Sequence, residues 1–111
     1  MKQILFIINA QPTNSGVKSV LKIIQENLGS KKLLHIYFED NGVYFLSDAY
    51  WEQIYHAKIL FYADASDVQR HGMKYREEIV FSSKKSFARL RESVDQIIYI
   101  NNARAKTKIY K

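Results

Sequence analysis

Five short apolar runs, separated by amphipathic or polar stretches, constrain this chain more than any other feature. Ile4 to Ile8 is continuously apolar, as a strand buried on both faces requires. Leu33 to Phe38, Lys58 to Tyr62, Ile79 to Phe81 and Gln96 to Ile100 read as four further strands. Between the first two, Val17, Val20, Leu21, Ile24 and Leu28 recur at helical spacing, with Ser15 placed as N-cap and Gly29 as stop. Tyr44 to Tyr55 is aromatic-rich and predicted partly helical. Asp64 to His71 predicts a short helix ending at Gly72, and Ser82 or Ser83 opens another with Phe87, Leu90 and Val94 on one face. Strands alternating with helices imply a three-layer α/β/α sandwich with a mostly parallel five-stranded sheet. The 111 residues are enough for one such domain, expected over residues 1–100, with a basic C-terminal tail at 101–111.

The charge is uneven. The chain carries 17 Lys+Arg against 11 Asp+Glu, a net of +6. Arg104, Lys106, Lys108 and Lys111 lie in the tail with no acid, which leaves 13 against 11 before it, a net of +2. A basic tail either grips phosphates or is a solvated terminus. There is no cysteine, which excludes disulfides, thiolate metal sites and cysteine nucleophiles, and agrees with a reducing compartment. The five apolar residues after Met1-Lys2-Gln3 are too few for a signal-peptide core or a membrane span. The expectation is a soluble, cytoplasmic protein with no membrane partner.

Motifs with defined chemistry fail. Gly16-Val17-Lys18-Ser19 approaches the end of a phosphate-binding loop, but Val17 separates the glycine from the lysine and Gln11 stands where a second glycine is needed. There is no Gly-x-Gly-x-x-Gly, no His-Glu-x-x-His and no Gly-x-Ser-x-Gly.

In a parallel sheet, ligands bind beyond the carboxyl ends of the strands. Three loops are expected there: Asn9 to Ser15, Glu39 to Val43 and Ala63 to Asp67. They supply the candidate ligand- or partner-binding residues Asn9, Asp40, Asn41, Gly42, Asp64 and Asp67, joined by Arg70 and His71 from the following helix. Asp64, Asp67 and His71 at i, i+3 and i+7 would share a helix face, an arrangement open to a metal or acid/base role. Acids in the first turn and Arg70-His71 in the last are also the order a helix dipole favours, which accounts for every residue, so neither metal nor cofactor is expected. His35, mid-strand among apolar neighbours, reads as a hydrogen-bonded core histidine.

Two stretches suggest partners. Tyr37, Phe38, Tyr44, Phe45, Tyr50, Trp51 and Tyr55 exceed what one small sheet face hides, and surplus aromatics mark interfaces. The core needs about half of them, by the demand of strand and helix faces for large side chains. Arg70, Lys74, Arg76, Lys84, Lys85, Arg89 and Arg91 face only Glu77 and Glu78 in the same stretch, with Tyr75 and Phe87 interleaved. That is either a solvated helix face or an RNA-facing patch.

Three pieces of the chain resemble the DsrE/DsrF-like superfamily of sulfur-relay proteins, which includes the TusD-type subunits. Ile36-Tyr37-Phe38-Glu39-Asp40-Asn41-Gly42-Val43-Tyr44 is similar to the family's aromatic strand followed by an acidic or polar residue and Gly-Val-Tyr. Ile59 to Gly72 is similar to its strand, cysteine, small-residue helix and Arg-x-Gly ending, and Phe87 to Ile100 to its closing helix and strand. The stretch between Tyr44 and the third strand is shorter than in TusD-type chains, and Asn9-Ala10-Gln11-Pro12-Thr13 replaces the small residues common after strand one. The resemblance implies a DsrE/DsrF-like fold and homo-oligomers (trimers or hexamers) or hetero-oligomers with related subunits. It also implies persulfide transfer from a cysteine at the start of the third helix. Counted back from Gly72, that position is Asp64, and a carboxylate cannot carry a persulfide.

Three functions follow as expectations. The first is a non-catalytic DsrE/DsrF-like binding or partner subunit, related to sulfur-relay and tRNA-thiolation proteins but without sulfur chemistry of its own. The second is an RNA- or tRNA-binding accessory protein using residues 70–91 and the tail. The third is a carboxylate enzyme pairing Asp40 with Asp64, which requires their close approach and perturbed acidities.

Overall fold

The computed structural model describes residues 1–29, 31–101 and 104–108. The strands are β1 (Lys2–Ile8), β2 (Lys32–Phe38), β3 (Leu60–Asp64), β4 (Ile79–Ser82), β5 (Gln96–Asn101) and β6 (Arg104–Lys108). The helices are α1 (Asn14–Asn27), α2 (Asp48–Ile54), α3 (Ala65–Arg70) and α4 (Lys84–Ser93), with a 3₁₀ helix over Asp40–Leu46. The strand order is β4-β3-β2-β1-β5-β6. All pairings are parallel except β5–β6, which is antiparallel. The mostly parallel α/β sheet matches the sequence expectation, with five strands where they were predicted.

The sixth strand is a correction. Arg104–Lys108 lies in the segment expected to be a basic tail, yet its backbone pairs with β5, Asn101 opposite Arg104. Alternating charged residues are tolerated on an edge strand, where charge discourages further pairing. Propensity alone therefore misses it.

The pleat sorts the apolar runs onto two faces. Ile4, Phe6 and Ile8 pair with Leu34, Ile36 and Phe38, and form one core with Val17, Val20 and Ile24 of α1, Phe45 and Leu46 of the 3₁₀ helix, Trp51 and Ile54 of α2, and Val68 of α3. Leu5, Ile7, Tyr37 and Ile97 face the other way and meet Phe87 and Leu90 of α4 and the adjacent Val94. The two outer layers are thus unequal, with α1, α2 and α3 on one face and α4 alone on the other. Of the seven aromatics in the 37–55 stretch, Tyr37, Phe38, Phe45 and Trp51 are buried. The core takes about half, as the sequence suggests.

The starts of α1 and α4 are each capped by a single hydroxyl. Thr13, rather than Ser15, caps α1, its Oγ1 accepting from Gly16 N at 3.0 Å. Ser83 caps α4, its Oγ accepting from Ser86 N at 3.2 Å. No described helix is long and apolar enough to cross a membrane.

Candidate functional site

Because β1, β2, β3 and β5 run parallel, their carboxyl ends open at one edge of the molecule. A cavity of about 310 Å³ lies there. Its acids are Glu39, Asp40, Asp64 and Asp67, its cations Lys84 and Arg91, and its aromatic walls Tyr37, Phe87 and Tyr99. Tyr37 and Phe87 stack with centroids 4.0 Å apart, which fixes α4 against β2 on the open side.

Asp64 ends β3 and caps α3. It is 7% exposed, and three donors hold it: Ser66 Oγ at 2.6 Å and Asp67 N at 2.9 Å on Oδ1, and the Tyr37 hydroxyl at 3.3 Å on Oδ2. Burial pushes its acidity towards the neutral form. The hydrogen bonds from Ser66, Asp67 and Tyr37 and the charge of Lys84 outweigh it, so its carboxyl sits below the ordinary aspartate value of 3.8. A carboxylate so held is ionised at neutral pH, with Oδ1 taken by two donors and Oδ2 by one. It is a structural anion, suited neither to proton transfer nor to nucleophilic attack.

Asp40 and Asp67 meet through the backbone. The Asp40 amide donates to Asp67 Oδ2 at 2.8 Å, while Arg70 Nη2 lies 2.8 Å from Asp67 Oδ1 and 3.5 Å from Asp40 Oδ1. Asp40 adopts φ +49°, a left-handed conformation that Asp tolerates better than most residues. Arg70 thus staples α3 to the entry of the 3₁₀ helix at the rim. Glu39, half-buried beside them, is the opposite of Asp64. Burial first, then the charges of Asp40, Asp67 and Asp64, push its carboxyl above the usual glutamate value of 4.5, against the pull of Arg91. Burial and the Asp64 carboxylate together push the Tyr37 hydroxyl far above the ordinary tyrosine range, so it stays a hydrogen-bond donor.

The structure brings Asp40, Asp64, Asp67 and Arg70 together and sets the other candidates apart. His71 turns to the 3₁₀ helix, its Nδ1 3.0 Å from the Tyr44 hydroxyl. Gly42 packs directly on the Ile8 carbonyl, so its role is close approach of two backbones. The Asn9 amide donates to Ile100 O at 3.3 Å, and Asn41 is exposed in the 3₁₀ helix. Neither is among the residues lining this cavity. Among the described residues no group of His, Asp or Glu is placed to hold a metal ion. Glu39 and Tyr99 also line the cleft, as do Tyr37, Lys84, Phe87 and Arg91, which the sequence offers only as members of an aromatic and a basic stretch. Only Glu39, next to Asp40 at a strand end, carried a local signal. Tyr37 comes from β2, and Lys84, Phe87, Arg91 and Tyr99 arrive from α4 and β5 through the strand order.

At least three of the seven basic residues between 70 and 91 are engaged within the fold, Arg91 among them, its guanidinium 5.7 Å from the Phe87 ring centroid. Arg70 pairs with Asp67 and Asp40. Arg76 pairs with Asp48, donates to Leu46 O at 2.7 Å and stacks over Trp51. Phe87 is taken up by Tyr37, which removes it as a platform for bases.

No family model and no curated protein matches the chain. Among solved structures, the ychN protein from E. coli, a DsrE/DsrF-like fold protein, superposes with a TM-score of 0.74 at 13% identity, over 90% of this chain and 100% of that one. At that identity the likeness is one of fold: the chain has a mostly parallel α/β fold that matches that of the ychN protein.

Proposed function

We infer that this chain is a non-catalytic binding or partner subunit of DsrE/DsrF-like fold, related to sulfur-relay proteins and unable to carry a persulfide. The observation that supports this most directly is the state of Asp64. The position that the resemblance gives to a cysteine holds a buried carboxylate committed to three hydrogen bonds and to capping α3. The neighbouring cleft, walled by Tyr37, Phe87 and Tyr99 and ringed with charge, suits a polar small molecule or a polar side chain of a related subunit. Assembly as a homo-oligomer, or with related subunits, belongs to the same reading.

An RNA-binding accessory role is the alternative. It draws on Lys74, Lys84, Lys85 and Arg89 together with the basic residues after 101, since Arg70, Arg76 and Arg91 are engaged in the fold. The carboxylate-enzyme reading loses its basis. Asp40 and Asp64 line one cavity, but Asp64 is held as an anion by three donors and the Asp40 side chain is 61% exposed beside Arg70.

The test is gentle purification of the tagged chain from its own cells, followed by native mass spectrometry. Recovery in fixed ratio of a cysteine-bearing subunit of the same fold, or of a tRNA-modifying enzyme, is the expected result. A chain that emerges alone, with no small molecule bound, would overturn the reading.

A further inference from the structure

We propose that the free edge of β4 pairs antiparallel with β4 of a second copy of this chain, forming a two-fold contact in which Glu77-Glu78 of each copy meets Lys84-Lys85 of the other. β4 ends the sheet at one side and pairs only with β3. The edge is short, but Ile79-Val80-Phe81-Ser82 holds no charge and no proline. Val80 is 57% exposed on it and Tyr75, packed edge-on against Phe81, is 68% exposed.

The flanks supply the specificity. The stretch reads Glu77-Glu78-Ile79-Val80-Phe81-Ser82-Ser83-Lys84-Lys85, two acids and two bases symmetric about Phe81. Antiparallel pairing centred on Phe81 sets Phe81 opposite its own copy and Val80 opposite Ser82, and brings the turn at Glu77-Glu78 of one chain, beyond the ladder, towards the first turn of α4 of the other. Facing aromatic pairs and opposite charges are the cross-strand pairs that stabilise antiparallel ladders, and a dyad doubles each of them. All four charged side chains are exposed, and among the described residues none joins an ion pair within the chain.

The lysines are also misplaced for their own helix. They occupy the first turn of α4, which holds no acid, where the positive end of the helix dipole disfavours cations. A second copy would bring two carboxylates to that turn. Lys84 already faces the Asp64 carboxylate within the chain, and a second copy would add acids for Lys85 in a first turn that holds none, which favours another copy over an unrelated strand as the occupant.

The experiment measures mass in solution for the full chain and two charge reversals, E77K/E78K and K84E/K85E. Each reversal alone repels at both ends of the contact, and the two mixed are complementary at both ends. The expected result is that either reversal halves the mass of the wild-type assembly and that mixing restores it. The milder pair E77K and K85E, which leaves Lys84 beside Asp64 in place, follows the same pattern and covers a folding defect in the first set. A monomeric wild-type chain, a mass that neither reversal changes, or a mixture that fails to recombine would each overturn the proposal. The outcome is independent of whether the cleft at Asp64 binds anything.

Discussion

The Tyr37 hydroxyl donates to Oδ2 of Asp64 across 3.3 Å, tying the middle of the sheet to the residue that caps α3. Both groups are buried, so each satisfies the other, and Ser66 and the Asp67 amide complete the carboxylate's partners. Replacing Asp64 by Ala removes the cap and strands the Tyr37 hydroxyl. The expected loss is about 2 to 4 kcal/mol, the sum of a lost cap and an unsatisfied buried donor. Asp64→Asn keeps an acceptor for the Asp67 amide and is expected to cost about 1 kcal/mol, since Asn caps nearly as well. Urea midpoints at constant slope measure both. Equal losses for the two variants would show that the cap contributes nothing.

Glu39 is expected to make the protein less stable as pH rises. Its folded-state acidity is shifted above 4.5 by burial and by the neighbouring acids, so the folded state holds the proton more tightly than the unfolded chain. Stability from this group is full below 4.5 and is lost as pH rises through the higher folded value. Glu39→Gln removes that loss. The variant should therefore have the higher urea midpoint at neutral pH, and the gain should vanish in acid. A gain that persists unchanged at low pH would assign it to packing instead of ionisation.

Asp64 works with the opposite sign. Its folded value lies below 3.8, so its contribution is full above that value and is lost as pH falls through the folded one. Two carboxyls of one cleft thus titrate in opposed senses. Comparing the acid limbs of Asp64→Asn and Glu39→Gln against wild type separates them: the first flattens the limb below 3.8, the second removes the decline above 4.5.

Much of this architecture was legible in the chain. Ile4 to Ile8 and Leu33 to Phe38 are apolar throughout because both faces of β1 and β2 are covered, and such runs have few alternatives. Asp64 as a helix-end residue followed from the charge order over 64–71. What the sequence hid was set by distance. The cleft needs Phe87, Arg91 and Tyr99 beside Tyr37, which follows from β5 pairing with β1. The 3₁₀ helix at Asp40–Leu46 read as a loop over Glu39 to Val43 running into a partly helical stretch from Tyr44, since its geometry depends on Gly42 meeting the Ile8 carbonyl. β6 read as a tail because its pattern is polar and its pairing with β5 is tertiary. Thr13 and Ser15 are equivalent hydroxyls two residues apart, and only the backbone path chooses between them.

His35 gives a third pH response. Its Nδ1 lies 2.8 Å from the Tyr62 hydroxyl and its Nε2 2.9 Å from Gln3 Oε1, a chain that crosses β1, β2 and β3. A neutral ring serves both contacts, accepting at Nδ1 and donating at Nε2. Burial lowers its folded value below 6.5. Its contribution is therefore full above 6.5 and is lost as pH falls towards the folded value. The stability difference between wild type and His35→Gln should shrink from about pH 8 to about pH 5, the window of histidine titration. A difference constant across that range would show that the ring is not held neutral.

Gly42 tests whether a strand-end residue in this cleft serves packing or binding. A Cβ built there would fall on the Ile8 carbonyl, with its carbon at 2.8 Å and the Asn9 Cα at 3.3 Å. These are backbone atoms and cannot rotate away. The same Ile8 carbonyl accepts from the Glu39 amide at 3.0 Å, so moving it also loosens the residue that opens the cleft. Gly42→Ala is expected to cost about 3 kcal/mol, at the upper end for overpacking, because the strain falls on two backbones at once. Gly29 is the control. It has a positive φ of +80° with open space around it, so Ala there meets only the local left-handed penalty, about 1 kcal/mol. Thermal or urea unfolding of the two variants gives the comparison. If Gly42→Ala is no worse than Gly29→Ala, the 3₁₀ helix is free to move away from β1, and the wall that holds Glu39 and Asp40 over the cleft is not fixed by this contact.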